Sequence, residues 1–352
     1  MRVLVTGNNG YIGTVMVPVL EAQGFEVAGL DSDLFEGCAF GDSSVSGSIS
    51  NIAYVRKDVR DVQLSDLRGF DAVAHLCALS NDPLGNLNPK MTYEINHEGS
   101  VRLAKFAKKA GVQRFILSSS CSVYGASTAD IVDEESDVKP LTPYAISKVF
   151  AERDISKLAD SEFCPVFLRS STAYGLSPML RFDLVVNNFV AWSFTKGIVL
   201  LKSDGSAWRP FVHIEDISRA FIAALNAPRD AVCNQIINVG KNEENYRIRE
   251  VAEIVKRIVP NSQIEYVEGA EPDSRSYRVE FNKISNILPE FKPEWTVSLG
   301  AKQLFEAYKK VGLLVEEFEG PRYRRITHLE NSLRSGRVDN SLRRVGNRES
   351  ST

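Results

Sequence analysis

The stretch RVLVTGNNGYIG at residues 2–13 constrains the fold more than any other. An apolar strand-like run stops at Thr6, and three glycines follow at a spacing of three, Gly7, Gly10 and Gly13. Glycine lets the backbone turn sharply and approach a ligand closely, and a helix that starts here turns free N–H groups and its positive dipole end toward an anion. Strand, glycine turn and helix in this order predict a dinucleotide site, with Tyr11 and Ile12 part of the same phosphate-facing turn. A plain Asn-Gly turn is the competing reading, and the flanking strand and helix weigh against it.

Strand and helix patterns alternate through the first half of the chain. After RVLVT come a helical stretch near 11–23, the strands EVAGLD, YVRKD and AVAHLCA, a long helical stretch near 92–109, the strand RFILSSS, a helix from Pro143 to about Ala159 and the strand FCPVFLRS. This rhythm predicts an α/β fold with a doubly wound parallel sheet. Beyond Tyr174 the pattern loosens, with a helix near 184–195, a short strand IVLLKS and a turn-rich region at 267–278, which reads as a smaller second domain. FVHIEDISRAFIAAL, at 211–225, reads as a return to the first domain. The expected division is 1–174 with 208–238 for the dinucleotide domain, 175–207 with 239–312 for the second, and 313–352 for a C-terminal extension. Residues 41–50, rich in serine and glycine, read as a loop.

With 352 residues the chain is long enough for two ordinary domains, and 43% hydrophobic and 25% charged residues are those of a globular protein. A net charge of -3 gives no general attraction to nucleic acid or to an acidic membrane. The segment 321–352 carries eight arginines and no lysine, and reads as a solvated or docking helix in preference to a nucleic-acid tail. No apolar span is long enough to cross a membrane and no signal-peptide pattern precedes the first strand, so a cytoplasmic location is expected. Five scattered cysteines without paired spacing predict reduced thiols, and four histidines without ligand spacing predict no metal.

Asp31 ends the second strand, where a carboxylate accepts hydrogen bonds from the adenine ribose and repels a 2'-phosphate; this favours NAD over NADP. A strand-end turn residue is its other reading. Asp58, in KDVRD, either reaches the adenine or caps a loop. The run FILSSSCSVYG at 115–125 ends a buried strand in hydroxyls, which is either a turn or the ligand-facing edge of a parallel sheet. TPYAISK starts a helix with Thr142 as N-cap and Pro143 in the first turn, and puts Tyr144 and Lys148 on one face. An ammonium beside a phenol lowers the phenol's ordinary pKa of ~10, as does the ring charge of an oxidised nicotinamide. Tyr144 then serves as a base.

Together TGNNGYIG, Asp31, DVRD, HLCA, INHEGS, SSSCSVYG, YAISK, LRSSTAYG, AWRPFVHIEDISRA and PDSRSYRVEF resemble the extended short-chain dehydrogenase/reductase family, in particular its nucleotide-sugar epimerases and dehydratases, from Met1 to about Gly312. The resemblance implies a Rossmann-like doubly wound sheet with a smaller C-terminal substrate-binding domain, bound NAD and a nucleotide-diphosphate sugar as substrate. Val59, Leu76, Cys77 and Ala78 fall in its cofactor-contacting motifs. Ser120 matches the residue that hydrogen-bonds the reacting sugar hydroxyl, Tyr144 the catalytic base, and Lys148 the residue that holds the nicotinamide ribose and tunes the tyrosine. Ser118 and Ser119 match turn or cofactor contacts. Arg209 and Arg275 match arginines that clamp the substrate diphosphate, and Asn96 a framework asparagine tying the central helix to the active-site strand. Ser80, Asn81 and Asp82 lie where the family's hexose loop lies, a place an ordinary turn also fits. Thr172 stands where many relatives have a phosphate-side asparagine. Relatives commonly form homodimers through a four-helix bundle, which implies a homodimer here.

In the family, removal of the 4-hydroxyl proton by the tyrosine accompanies hydride transfer from C4 to NAD. Members that eliminate water carry an Asp-Glu pair after the catalytic Ser/Thr, whereas this chain has Cys121 and Ser122. Without that pair, return of the hydride to the opposite face, 4-epimerisation, is the leading expectation. A 4-ketoreductase is the alternative, a dehydratase less so; a cofactor-binding structural or RNA-binding relative is the non-enzyme reading. Cys121 is either a substrate-side thiol or a buried spectator.

Overall fold

The first strand, β1 (Arg2–Thr6), turns Val3 and Val5 to one side and Leu4 to the other, and all three are buried. A strand covered on both faces needs helices on both faces, and that need organises the large sheet. The computed structural model of the chain describes residues 1–42, 45, 52–80, 85–86, 88–127, 129–271, 273 and 275–345. The further strands are β2 (Glu26–Asp31), β3 (Tyr54–Arg56), β4 (Ala72–His75), β5 (Arg114–Ser120), β6 (Ile131–Val132), β7 (Cys164–Ser170), β8 (Thr172–Tyr174), β9 (Ile198–Leu201), β10 (Trp208–His213), β11 (Ile236–Val239), β12 (Asn245–Arg247), β13 (Gln263–Tyr266) and β14 (Arg278–Val279). The longer helices are α1 (Gly13–Ala22), α2 (Ser100–Lys109), α3 (Pro143–Ser156), α4 (Val185–Lys196), α5 (Ile214–Asn226), α6 (Ile248–Ile258), α7 (Val297–Val311) and α8 (Arg325–Arg334).

Seven strands form one parallel sheet in the order β11, β7, β5, β4, β1, β2, β3. The chain winds outward from β1 to β3, then restarts at β4 on the other side of β1. Ligands of such sheets bind at this reversal, outside the carboxyl ends of the strands. Val3, Val5, Ile116 and Val166 meet Met16 and Leu20 of α1 and Ile217 and Phe221 of α5 on one face. Leu4, Val73, Phe115 and Phe167 meet Leu103 of α2 and Ile155 of α3 on the other. Each such side chain stabilises the fold by about 1.5–3 kcal/mol through burial.

The long helical stretch expected near 92–109 is a path from Pro89 to Lys109 with a π-helical turn at Glu94–Gly99. Asn96 sits in that turn and is buried. Its Oδ1 accepts from Leu79 N (2.8 Å), and its Nδ2 donates to Leu79 O (3.0 Å) and Ser147 Oγ (3.2 Å). It therefore ties the helix to the exit of β4 and to α3, not to β5. The segment 211–225, read as a return to the first domain, divides. Strand β10 joins β8 and β12 in a small sheet, because β5 and β11 already pair with both edges of β7, whereas α5 packs on α1.

The arginine-rich extension is docked. Leu329, Val338 and Leu342 are buried in the same cluster as Leu4 and Phe115. No helix among the described residues is long and apolar enough to cross a membrane.

Candidate active site

The glycine turn sits against the exit of β4. A Cβ on Gly7, whose φ is 79°, would come within 2.9 Å of Cys77 N, and one on Gly13 would collide with the Gly7 carbonyl. Only bare backbone fits this closely, so the turn can approach a ligand without side chains in the way. Outside the carboxyl ends of the strands lies a crevice of about 1210 Å³. That exceeds the usual size of a single small-ligand site and gives room for a dinucleotide and a second ligand.

At one end Gly7, Gly10, Tyr11, Ile12, Gly13, Asp31, Asp58, Val59, Leu76, Cys77 and Ala78 all line the crevice. The Tyr11 hydroxyl is already engaged, donating to Gly175 O (2.7 Å) and accepting from Asn187 Nδ2 (3.1 Å). Asp31 accepts from Asn9 N (3.0 Å) and Asp33 N (2.9 Å), one backbone donor to each oxygen, while burial pushes its pKa up. The lone pairs left over suit the hydroxyls of a ribose. Asp58 caps the turn Val59–Asp61 and pairs with Arg60 (2.6 Å); burial works to raise its pKa, and Arg60 outweighs it, holding the carboxyl below its usual range. An anion-ready glycine turn and an acceptor at the end of β2 are the parts a dinucleotide requires. Burial keeps the Cys77 thiol protonated.

At the middle of the crevice β5 and α3 meet. Ser120, the last residue of β5, accepts from Ser122 N (3.1 Å) and so starts the turn Cys121–Tyr124. Thr142 caps α3 by accepting from Ala145 N (3.3 Å), which fixes where Tyr144 and Lys148 emerge. Lys148 donates to Ser118 O (2.7 Å), and its ammonium lies 5.8 Å from the centre of the Tyr144 ring. Burial pushes the Lys148 pKa down to about 8, against the pull of Cys77 and Glu152. Ser120, Ser122, Tyr144, Lys148 and Thr172 all line this stretch. Ser170 also lines it, and the buried Ser122 and Ser170 hydroxyls have no hydrogen-bond partner among the described residues.

Cys121 departs from the substrate-side expectation. The tight turn after Ser120 sends its side chain back into the core, where Sγ donates to Arg169 O (3.1 Å) and burial raises its pKa. It is absent from the crevice wall, so the spectator reading fits. Behind it Arg169 pairs with Glu152 of α3 (2.7 Å) and donates to the Tyr124 hydroxyl (3.1 Å), which donates to Asn238 (2.8 Å). Ser119 donates to the same Glu152. This buried network joins β5, β7, β11 and α3, the helix that carries Tyr144 and Lys148.

At the far end Arg209 and Arg275 also line the crevice, and both are held by one carboxylate. Asp273 accepts from Arg209 Nη2 (2.9 Å) and from Arg275 Nε (3.0 Å) and Nη2 (2.9 Å). Ser80 lines the wall and accepts from Arg181 Nη1 (2.8 Å); Asn81 and Asp82 lie outside the described residues. Arg181 was not singled out by sequence. It is buried, bridges Ser80 and Asp183, and lines the crevice with Asn188 and Lys202. No local rule marks it, because the loop that carries it reaches the site only by folding back from β8.

Residues 3–240 match the NAD dependent epimerase/dehydratase family. The chain is 32% identical over 236 residues to a UDP-glucose 4-epimerase of Mycolicibacterium smegmatis, covering 64% of this chain and 73% of that one. It is 26% identical over 323 residues to the dTDP-D-glucose 4,6-dehydratase of Mus musculus, covering 88% and 89%. The structure of MoeE5 in complex with UDP-glucuronic acid and NAD superposes with a TM-score of 0.75 at 26% identity, covering 88% of this chain and 99% of that one. With the glycine turn, the Ser120, Tyr144 and Lys148 cluster and these matches together, the chain belongs to the NAD-dependent epimerase/dehydratase family.

Proposed function

We propose that this protein is a nucleotide-diphosphate-sugar 4-epimerase that works through a transient 4-keto sugar. The observation that carries the reading is the end of β5: Ser120 lines the same crevice as Tyr144 and Lys148, and the next two residues add no acid–base pair, since Cys121 faces the core and Ser122 is a hydroxyl. Elimination of water needs further proton-transfer groups at the sugar; inversion does not.

Lys148, buried and close to the phenol, favours the ionised form of Tyr144. Tyr144 takes the proton of the sugar 4-hydroxyl while Ser120 hydrogen-bonds the same oxygen. When bound, NAD supplies reversible hydride acceptance at the neighbouring carbon. The keto sugar then presents its other face, and Tyr144 returns the proton to the oxygen. Arg209 and Arg275 hold the diphosphate throughout, a task suited to planar guanidinium groups, and leave the hexose free to turn.

The test is incubation with UDP-, GDP-, CDP- and dTDP-sugars followed by proton NMR. A sugar inverted at C4 with no net use of cofactor is expected. Stoichiometric loss of NAD(P)H with a 4-keto sugar would mean a reductase, and a 4-keto-6-deoxy product a dehydratase.

A homodimer through α2 and α3 accompanies this reading. Val101, Phe106 and Leu158 line a groove between these helices on the outside of the molecule. Light scattering at micromolar concentration should give twice the chain mass, and a monomer rejects the assembly.

A further inference from the structure

The family match ends at residue 240 and the recognisable motifs stop before Gly312, yet the segment beyond contributes to the crevice wall through Arg324, Arg325, Ile326 and Leu342. Its path explains how. Arg322 donates to Ala39 O (2.7 Å), and His328 meets Cys38 (3.3 Å). Arg344 pairs with Glu36 (2.6 Å) and donates to Asp33 O (3.1 Å). Arg343 pairs with Asp61, and Arg60 donates to Ser341 O (2.9 Å). The segment thus grips the loop after β2 and the turn after β3, the two walls that flank Asp31 and Asp58.

Arg325 stands out within it. The side chain is 7% exposed, its guanidinium lies 4.1 Å from the centre of the Phe35 ring, and Nη2 donates to Met179 O (3.1 Å). Its buried Nε has no acceptor among the described residues. Burial and the neighbouring Arg181 push its pKa down to about 10, with Asp183 and Asp31 in opposition. A buried guanidinium with an unsatisfied donor and a second guanidinium nearby is costly without an anion. The glycine turn at the start of α1 lines the same crevice and offers a place for one, the pyrophosphate of a dinucleotide.

We propose that the C-terminal segment roofs the dinucleotide site and that the Arg325 guanidinium pairs with the cofactor's pyrophosphate. This rests on the dinucleotide reading of the crevice and is independent of which sugar reacts. A cofactor gripped in this way leaves only when the roof unlatches, which suits a reaction that regenerates its cofactor in every cycle.

The experiment compares NAD, ADP and adenosine binding by calorimetry for the full-length wild type and Arg325→Gln, with Arg325→Lys as the charge-preserving control. The expected result is at least about tenfold weaker NAD and ADP binding, with adenosine affinity unchanged and partial recovery in the lysine variant. Equal loss for ADP and adenosine, or no loss, overturns the role of Arg325. The roof is tested separately by Arg343→Ala/Arg344→Ala, which removes two half-exposed anchors and leaves the buried leucines in place. NAD release followed in stopped flow should accelerate by about tenfold or more, and release at the wild-type rate overturns the roof. A wild type that binds neither NAD nor ADP overturns the dinucleotide reading, and this inference with it.

Discussion

At the scale of single residues, the proposed chemistry depends on a phenol whose neighbour is a buried amine. In the proposed reaction Tyr144→Phe removes the group that accepts the sugar proton, so kcat should fall by about 10²–10⁴-fold with sugar-nucleotide affinity little changed; steady-state kinetics beside calorimetry checks this. Lys148 has an ordinary pKa of 10.5 and is held near about 8 when folded without cofactor. Between those values the unfolded chain binds more protons than the folded one, so stability rises as pH increases through that window. The melting temperature of the cofactor-free protein, corrected by the same measurement on Lys148→Met, should show a Lys148-dependent gain from pH 8 to pH 10. A difference of zero would mean that the amine is solvated.

At the scale of elements, Tyr144 and Lys148 are positioned by what lies behind them. Strand β5 and helix α3 are joined by Glu152, which accepts from Ser119 and pairs with Arg169 at 2.7 Å, both partners about 5% exposed at the side chain. Replacing both ions with apolar groups can be nearly neutral, but removing one leaves the other buried and uncompensated. Glu152→Gln should therefore cost about 3–5 kcal/mol in a urea melt. Because α3 carries Tyr144 and Lys148, activity should fall with it even at temperatures where the variant is folded. The π-helical turn at Glu94–Gly99 serves a related end, since it aims Asn96 at Leu79 and Ser147 and fixes the exit of β4 against the same helix.

At the scale of the whole molecule, burial on both faces of the sheet sets the response to acid. His75 lies in the sheet between Thr6 (2.6 Å) and Ser100 (2.7 Å), and burial pushes its pKa down to about 3; His213 is pushed down to about 4 in the same way. The unfolded chain binds protons at these imidazoles near pH 6.5 and the folded one does not, so stability falls as pH drops below 6.5. His75 alone should cost about 1.6 kcal/mol between pH 6.5 and pH 5. Chemical melts at the two values, with His75→Gln as reference, should show a smaller pH slope in the variant.

Legibility in the sequence followed the range of the interactions. The parallel sheet, the glycine turn, Asp31 at the end of β2 and the capped start of α3 are local: strand and helix periods, a glycine spacing and a Thr-Pro cap span a few residues each, and the chain writes them directly. What escaped was set by distant partners. The side to which Cys121 turns depends on Arg169, β10 was diverted because β5 and β11 had taken both edges of β7, and Arg181 reaches the crevice only through a folded-back loop. The arginine-rich tail could be recognised as charged, but its place in the crevice wall required the carboxylates of Glu36 and Asp61 in their loops. Sequence by itself determined the elements and the chemistry of the groups, because backbone preference and side-chain type are properties of short stretches. Tertiary structure alone decided which of those groups share a wall, because desolvation and pairing exist only once remote segments are brought together.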